Sequence, residues 1–308
     1  MGDKHAVVDL SYIHGLSNGS GLPDGYHYLV PIAAMIEAAS HEGEGRVSSA
    51  RDTVWTKLVE VLFRTSSWSF CLIEGALLKR EDCKGSPLSV EDLYAEEDTR
   101  SFREMLGDSD RPNKQTIVRL LEWLRGSPNF KTGMEDRSCS ASKMPIIRES
   151  LRESMKRPLA LEKELSGDSL TNAEKGIPDH VRNCLDSEHL ALATLVILCA
   201  YPNVGHPDDA VTEALKVAER GLGGTFGTFR RNLVAVRILR GLMTTSDTGI
   251  KKRLNHVFDQ EYVALAPYAG HLFSDDKALV EVVRALYPSV CCIGRQTQSG
   301  VDSGDAGI

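Results

Sequence analysis

An all-α fold, built as a two-lobed helical bundle with a short extended N-terminal arm and a disordered C-terminal tail, is the class this sequence predicts. Three observations predict it. Apolar residues recur at helical spacing along most of the chain, no repeat of constant period is present, and the longest apolar run, 190–201, has the length of a buried helix. With 308 residues, 42% of them hydrophobic and 26% charged, the composition is that of a globular protein large enough for two lobes.

Residues 5–13 have the β-branched look of a short strand, and a Gly, Ser, Asn and Pro stretch, 15–25, follows, so 1–26 is read as the arm. Helical spacing then covers 28–39, 48–64 with Val54, Leu58, Val61 and Leu62 on one face, and 68–78. Ser89 starts another helix in capping-box style, and Pro112-Asn-Lys introduces one that buries Ile117, Val118, Leu121 and Leu124. The polar stretch 129–142 suits an exposed loop, and 144–165 alternates charge as a solvated connecting helix would. These elements form an N-terminal lobe, 27–166, with the boundary in 166–178 where Gly167, Gly176 and Pro178 interrupt the pattern.

The C-terminal lobe, 177–292, is expected to hold helices at 179–200, 207–220, 228–242, 248–258, 262–273 and 274–287. Pro207 with Asp208 and Asp209, and the pair Asp275-Asp276, stand where helix-starting residues belong, because acids offset the positive helix N-terminus. A disordered tail, 293–308, is expected from its Gly, Ser, Asp and Gln content.

No motif marks a catalytic centre. Gly15-Leu-Ser17-Asn-Gly19 matches the nucleophile-elbow pattern but runs into Ser20-Gly-Leu-Pro instead of a helix, and Ser140-Ala-Ser-Lys143 lacks partner motifs. The glycine-dense 221–227 lacks the G-K-[ST] of a phosphate loop. Seven irregularly spaced cysteines form no C-x-x-C pair, and nine scattered histidines form no H-E-x-x-H. The expectation is therefore no enzyme, no metal and no cofactor. No secretory or myristoylation signal and no membrane span is read, so the chain is placed inside the cell, in cytoplasm or nucleus.

One charge asymmetry points to a partner. The chain carries net charge −7, yet 221–256 sets Arg230, Arg231, Arg237, Arg240, Lys251, Lys252 and Arg253 against the single acid Asp247. Arg230, Arg237 and Arg240 fall on one side of a helix, and planar guanidinium forks suit phosphate oxygens. Phe226 and Phe229 beside the Gly-rich loop are candidates for base stacking. The expected function is thus binding of RNA or another single-stranded polyanion in a basic cleft between lobes, with arm or tail contacting further copies of the chain. That layout is similar in outline to the nucleoproteins of negative-strand RNA viruses, a likeness of layout alone. The alternative is a helical adaptor or scaffold using Trp55, Trp68 or Trp123 as anchors.

Overall fold

The computed structural model describes residues 4–40, 53–107, 111–154, 187–201, 204, 210–220, 229–243 and 250–295. It corrects the all-α, two-lobed expectation: five parallel strands form one sheet in the order β3-β2-β1-β4-β5, flanked by helices, which is an α/β fold. The strands are β1 (Lys4–Val8), β2 (Tyr26–Pro31), β3 (Trp68–Cys71), β4 (His271–Phe273) and β5 (Cys291–Ile293). The segment expected as an arm supplies the central strand. β1 pairs with β2 from Lys4↔Tyr26 to Val7↔Leu29, and with β4 through Val7↔Leu272 and Val8↔Phe273.

The strands escaped periodicity for a physical reason. A parallel strand covered on both faces shows a continuous apolar run instead of alternation, and a run of three to six residues reads equally well as the first turn of the helix after it. Thus Tyr28 to Pro31 belong to β2, and the helix expected from 28 begins at Ile32. Trp68 opens β3, with the helix following from Glu74. The pair of helices expected around 262–287 is interrupted by β4, where Gly270 at φ 74° turns the chain from helix into strand.

The helices are α1 (Leu10–Gly15), α2 (Ile32–Ser40), α3 (Val54–Arg64), α4 (Glu74–Lys84), α5 (Glu96–Leu106), α6 (Lys114–Gly126), α7 (Pro128–Ser154), α8 (Ser187–Ala200), α9 (Ala210–Arg220), α10 (Phe229–Met243), α11 (Ile250–Ala269) and α12 (Lys277–Leu286). Several start on side chains that accept from orphan backbone N–H groups: Thr53 from Thr56 at 3.1 Å, Asn113 from Thr116 at 2.9 Å, and Asp276 from Ala278 at 2.8 Å. The stretch 129–142, expected as a loop, is helical within α7. Its low propensity is overridden by packing of Ala141, Ile147 and Leu151 and by a buried ion pair between Arg137 and Glu261 of α11.

A single apolar cluster runs from Ala6 on β1 to Val290 before β5 and takes in both halves of the chain. Trp55, Trp68, Phe70 and Phe102 meet edge-to-face beside β3, the two indoles donating to Ile117 O at 3.1 Å and Leu62 O at 2.9 Å. Trp55 and Trp68 are therefore core residues, and Trp123 packs partly buried against the same cluster. The boundary expected in 166–178 and the tail over 296–308 lie outside the described residues.

Strand order places the site. From β1 the chain steps to β2 and then β3 on one side, whereas β4 and β5 lie on the other side of β1. The direction of winding reverses between β1 and β4. At such a switch point the loops leaving the two strands part to opposite faces and open a crevice at the carboxyl ends of the strands.

Candidate active site

Two short segments meet at that crevice. Asp9 follows β1 directly, and Ser274, Asp275 and Asp276 follow β4. The sheet register holds them together, since Asp9 N donates to Phe273 O at 2.9 Å as the ladder ends. Ser274 Oγ donates to Asp9 Oδ2 at 2.7 Å, and Ser11 Oγ donates to the same oxygen. The backbone N–H of Asp275 donates to Ser11 Oγ at 3.2 Å, and that of Asp276 to Ser274 Oγ at 3.0 Å. The two hydroxyls thus fix the Asp9 carboxylate and tie the β4 exit to the β1 exit.

Further acids arrive from helices packed beside the strands. Glu37 is the only charged residue of α2, an otherwise apolar helix. Asp259 comes from α11, which packs on β1, β2 and β4. Burial pushes the Asp9 carboxyl up to about 6, against the Ser11 and Ser274 hydrogen bonds that lower it, with the charge of Asp259 adding to the rise. Burial raises Glu37 further, to about 8, and Asp259, Asp9 and Asp276 all add to that rise while Arg137 opposes it. Four carboxylates therefore share one electrostatic environment at the carboxyl edge of the sheet.

In their midst is Tyr262 of α11. Its ring is wholly buried, its hydroxyl oxygen lies beside the backbone N–H of Leu10 without meeting full hydrogen-bond geometry to any described residue, and the carboxylates of Glu37, Asp9 and Asp259 all act on it. The Tyr262 O–H has no acceptor among the described residues although three acids act on it, so it is placed to donate to a polar ligand.

Whether a cation suits these residues turns on the donor chemistry. As the side chains lie, no group of three or more His, Cys, Asp or Glu among the described residues could hold a metal ion. A cation at this edge would therefore rest on at most one or two carboxylates, with waters and a substrate phosphate completing its shell, an arrangement magnesium accepts. All the donors are hard carboxylate oxygens, and Asp9 and Glu37, which burial and the neighbouring acids raise, are carboxylates a divalent charge would stabilise.

The arginines singled out in the sequence are committed elsewhere. Arg230 pairs with Asp82 at 2.6 Å and donates to Val204 O at 3.1 Å. Arg237 is buried, bidentate to Glu74 at 2.8 and 2.9 Å, bonded to Gln260 at 3.0 Å and stacked 4.1 Å from the Tyr201 ring centroid. Arg240 pairs with Asp259 at 2.9 Å, and Arg231 is buried. One helical side does carry Arg230, Arg237 and Arg240, yet that side faces the carboxylates of α4 and α11. Phe229 is fully buried, so its ring has no face for a base. Phe226 and the side chains of Lys251, Lys252 and Arg253 lie outside the described residues, as do Asp208, Asp209 and Cys184. Ser17 sits in the turn after α1 and Ser140 in α7, so neither has a nucleophile's setting. The described cysteines are free thiols.

Asp9, Glu37, Asp259 and Tyr262 were not singled out in the sequence, and Asp276 was recognised only as a helix start. It does cap α12, through Oδ1. A signal was available: an acid directly after the apolar pair Val7-Val8, a Ser-Asp-Asp run directly after Leu272-Phe273, and a lone glutamate inside Ile32-Ala-Ala-Met-Ile-Glu37-Ala-Ala.

Fold and site together define an open, parallel α/β protein with an acidic edge at its topological switch point. No protein-family model, curated protein or solved structure matches the chain. No helix among the described residues is long and apolar enough to cross a membrane.

Proposed function

We propose that the protein is a divalent-cation-dependent phosphodiesterase acting on single-stranded nucleic acid, RNA foremost, at the edge formed by Asp9, Glu37, Asp259 and Asp276. The observation that carries this is the convergence of mutually coupled carboxylates where β1 and β4 part. The expected polyanion partner is kept, and its binding place moves from the α10 arginines to this edge. A bound magnesium or manganese ion would polarise a phosphoryl oxygen and lower the pKa of a water molecule. Asp9, with one of Glu37 and Asp276, would hold the cation, and waters and the substrate phosphate would complete its shell.

The chain's own residues do the rest. Ser11 and Ser274 lock the Asp9 carboxylate by accepting backbone N–H groups from the β4 exit while donating to Oδ2. Arg240 holds Asp259 in place. Glu37, which burial pushes up to about 8 with no cation present, would give up its proton as the cation binds, so loading of the site should favour neutral to alkaline pH. The buried Tyr262 hydroxyl offers a donor to an oxygen entering the cluster. An intracellular setting is part of this proposal and is supported by the free cysteines.

The test is cleavage of a fluorescein-labelled oligoribonucleotide with magnesium or manganese present. Cleavage abolished by EDTA and reduced at least about a hundredfold in Asp9→Asn is expected. A wild-type protein inert with both metals refutes the proposal. The adaptor reading keeps one observation in its favour, the exposed Ile146 of α7 with Val211 and Leu215 of α9, which are 72%, 62% and 54% exposed.

A further inference from the structure

Beyond the acids, a cation stands at the rim of the same edge. Arg295 follows β5, and its guanidinium reaches back across the carboxyl ends of the strands. Arg295 N donates to Asp275 Oδ1 at 3.1 Å, Nε donates to Asp275 Oδ2, and Nη1 donates to Gly15 O at the end of α1. Asp275 is in turn bonded through its N–H to Ser11, whose hydroxyl fixes Asp9. Arg295 is thus three hydrogen-bonded groups from the first carboxylate of the edge.

Exposure separates this arginine from Arg137, Arg237 and Arg240. Its side chain is 42% exposed, whereas theirs are buried. Of its five N–H donors, the described residues use Nε and one on Nη1, so the Nη2 pair and the second Nη1 hydrogen have none of them as partners. Gly15 makes the approach possible, since a Cβ there would stand 1.8 Å from the Arg295 guanidinium carbon.

Resting on the phosphodiesterase reading, we propose that Arg295 is the residue that grips a substrate phosphate next to the scissile one, with Asp275 as the carboxylate that tempers its charge and so its grip. A planar fork with three donors that the described residues leave unused can take two phosphate oxygens at once. At an edge made of carboxylates a polyanion is otherwise repelled, so a cation anchored at the rim sets affinity and register and leaves the chemical step to the acids. Arg295 is a binding residue here, and Asp275 acts through it.

The pair also caps the carbonyl end of α1, and a strut and a phosphate grip give opposite signatures. The experiment is saturation kinetics on a fluorescein-labelled oligouridylate with magnesium, in a salt series, for the wild type, Arg295→Ala, Arg295→Lys and Asp275→Asn. Arg295→Ala should raise KM about tenfold with kcat changed less than about threefold, and should lessen the salt slope of binding by about one. Asp275→Asn should lower KM, because the guanidinium loses its neutralising partner, and Arg295→Lys should fall between Ala and wild type. If Arg295→Ala and Asp275→Asn both lower kcat with KM unmoved, the pair is a strut and the proposal fails. Should the wild type cleave nothing, the function proposed above has failed; anisotropy with the same oligouridylate in EDTA then judges Arg295 alone. Weaker binding in Arg295→Ala with tighter binding in Asp275→Asn upholds it, and no difference or no binding overturns it.

Discussion

Replacing Glu37 by Gln keeps the shape of the side chain and removes its charge, so it isolates the electrostatic strain of the acidic edge. Glu37 lies near 8 in the folded protein and near 4.5 in the unfolded chain, chiefly because it is buried, then because Asp259, Asp9 and Asp276 surround it. Between those two values the folded state holds a proton the unfolded state has released, so stability falls as pH rises from about 4.5 through about 8. Above 8 the full difference is felt, at most about 5 kcal/mol. The assay is urea unfolding in EDTA for both proteins at pH 5 and pH 8.5. Glu37→Gln should match the wild type within about 1 kcal/mol at pH 5 and exceed it by about 2–4 kcal/mol at pH 8.5. A difference that does not vary with pH, or a Gln variant less stable at pH 8.5, would refute the claim that Glu37 is a strained carboxylate.

Magnesium or manganese should raise the melting temperature more at pH 8 than at pH 6, since the cation competes with protons on Asp9 and Glu37; at a hundredfold excess over Kd the gain is about 2.7 kcal/mol, and calorimetry at the two pH values reads it. Arg137→Ala strands the buried Glu261 carboxyl, which burial already pushes up to about 7 against the lowering pull of Arg137, and should cost about 3–5 kcal/mol in chemical denaturation. Phe102→Ala removes the ring shared by Trp55, Trp68 and Phe70 and should cost about 3–5 kcal/mol by the same measurement. Replacing Arg230, Arg237 and Arg240 together by alanine should collapse the thermal melt, since it removes the arginines that pair with Asp82, Glu74 and Asp259. A well-folded triple variant with selectively weakened RNA binding would instead restore those arginines as a phosphate track.

Most helices were legible in the sequence because each buries one stripe, as Leu58, Val61 and Leu62 of α3 or Leu120, Leu121 and Leu124 of α6 do. The sheet was not, because β4 and β5 are three residues each and β1 and β2 carry apolar runs that serve a helix start equally well. Parallel pairing joins residues such as Val8 and Phe273, and nothing local in the chain announces so distant a partner. The candidate site is hidden for the same reason: Asp9, Glu37, Asp259 and Asp276 come from four separate elements, and each alone looks like a cap or a surface acid. Spacing places Arg230, Arg237 and Arg240 on one side of a helix but cannot tell a side facing solvent from one facing Glu74 and Asp259.

The most direct test of the central claim is the manganese anomalous signal from crystals of the protein grown with that ion. The account predicts a peak at the carboxyl edge of the sheet, within bonding distance of Asp9 and at least one of Glu37 and Asp276, lost in Asp9→Asn. A manganese site elsewhere with that edge bare would contradict it.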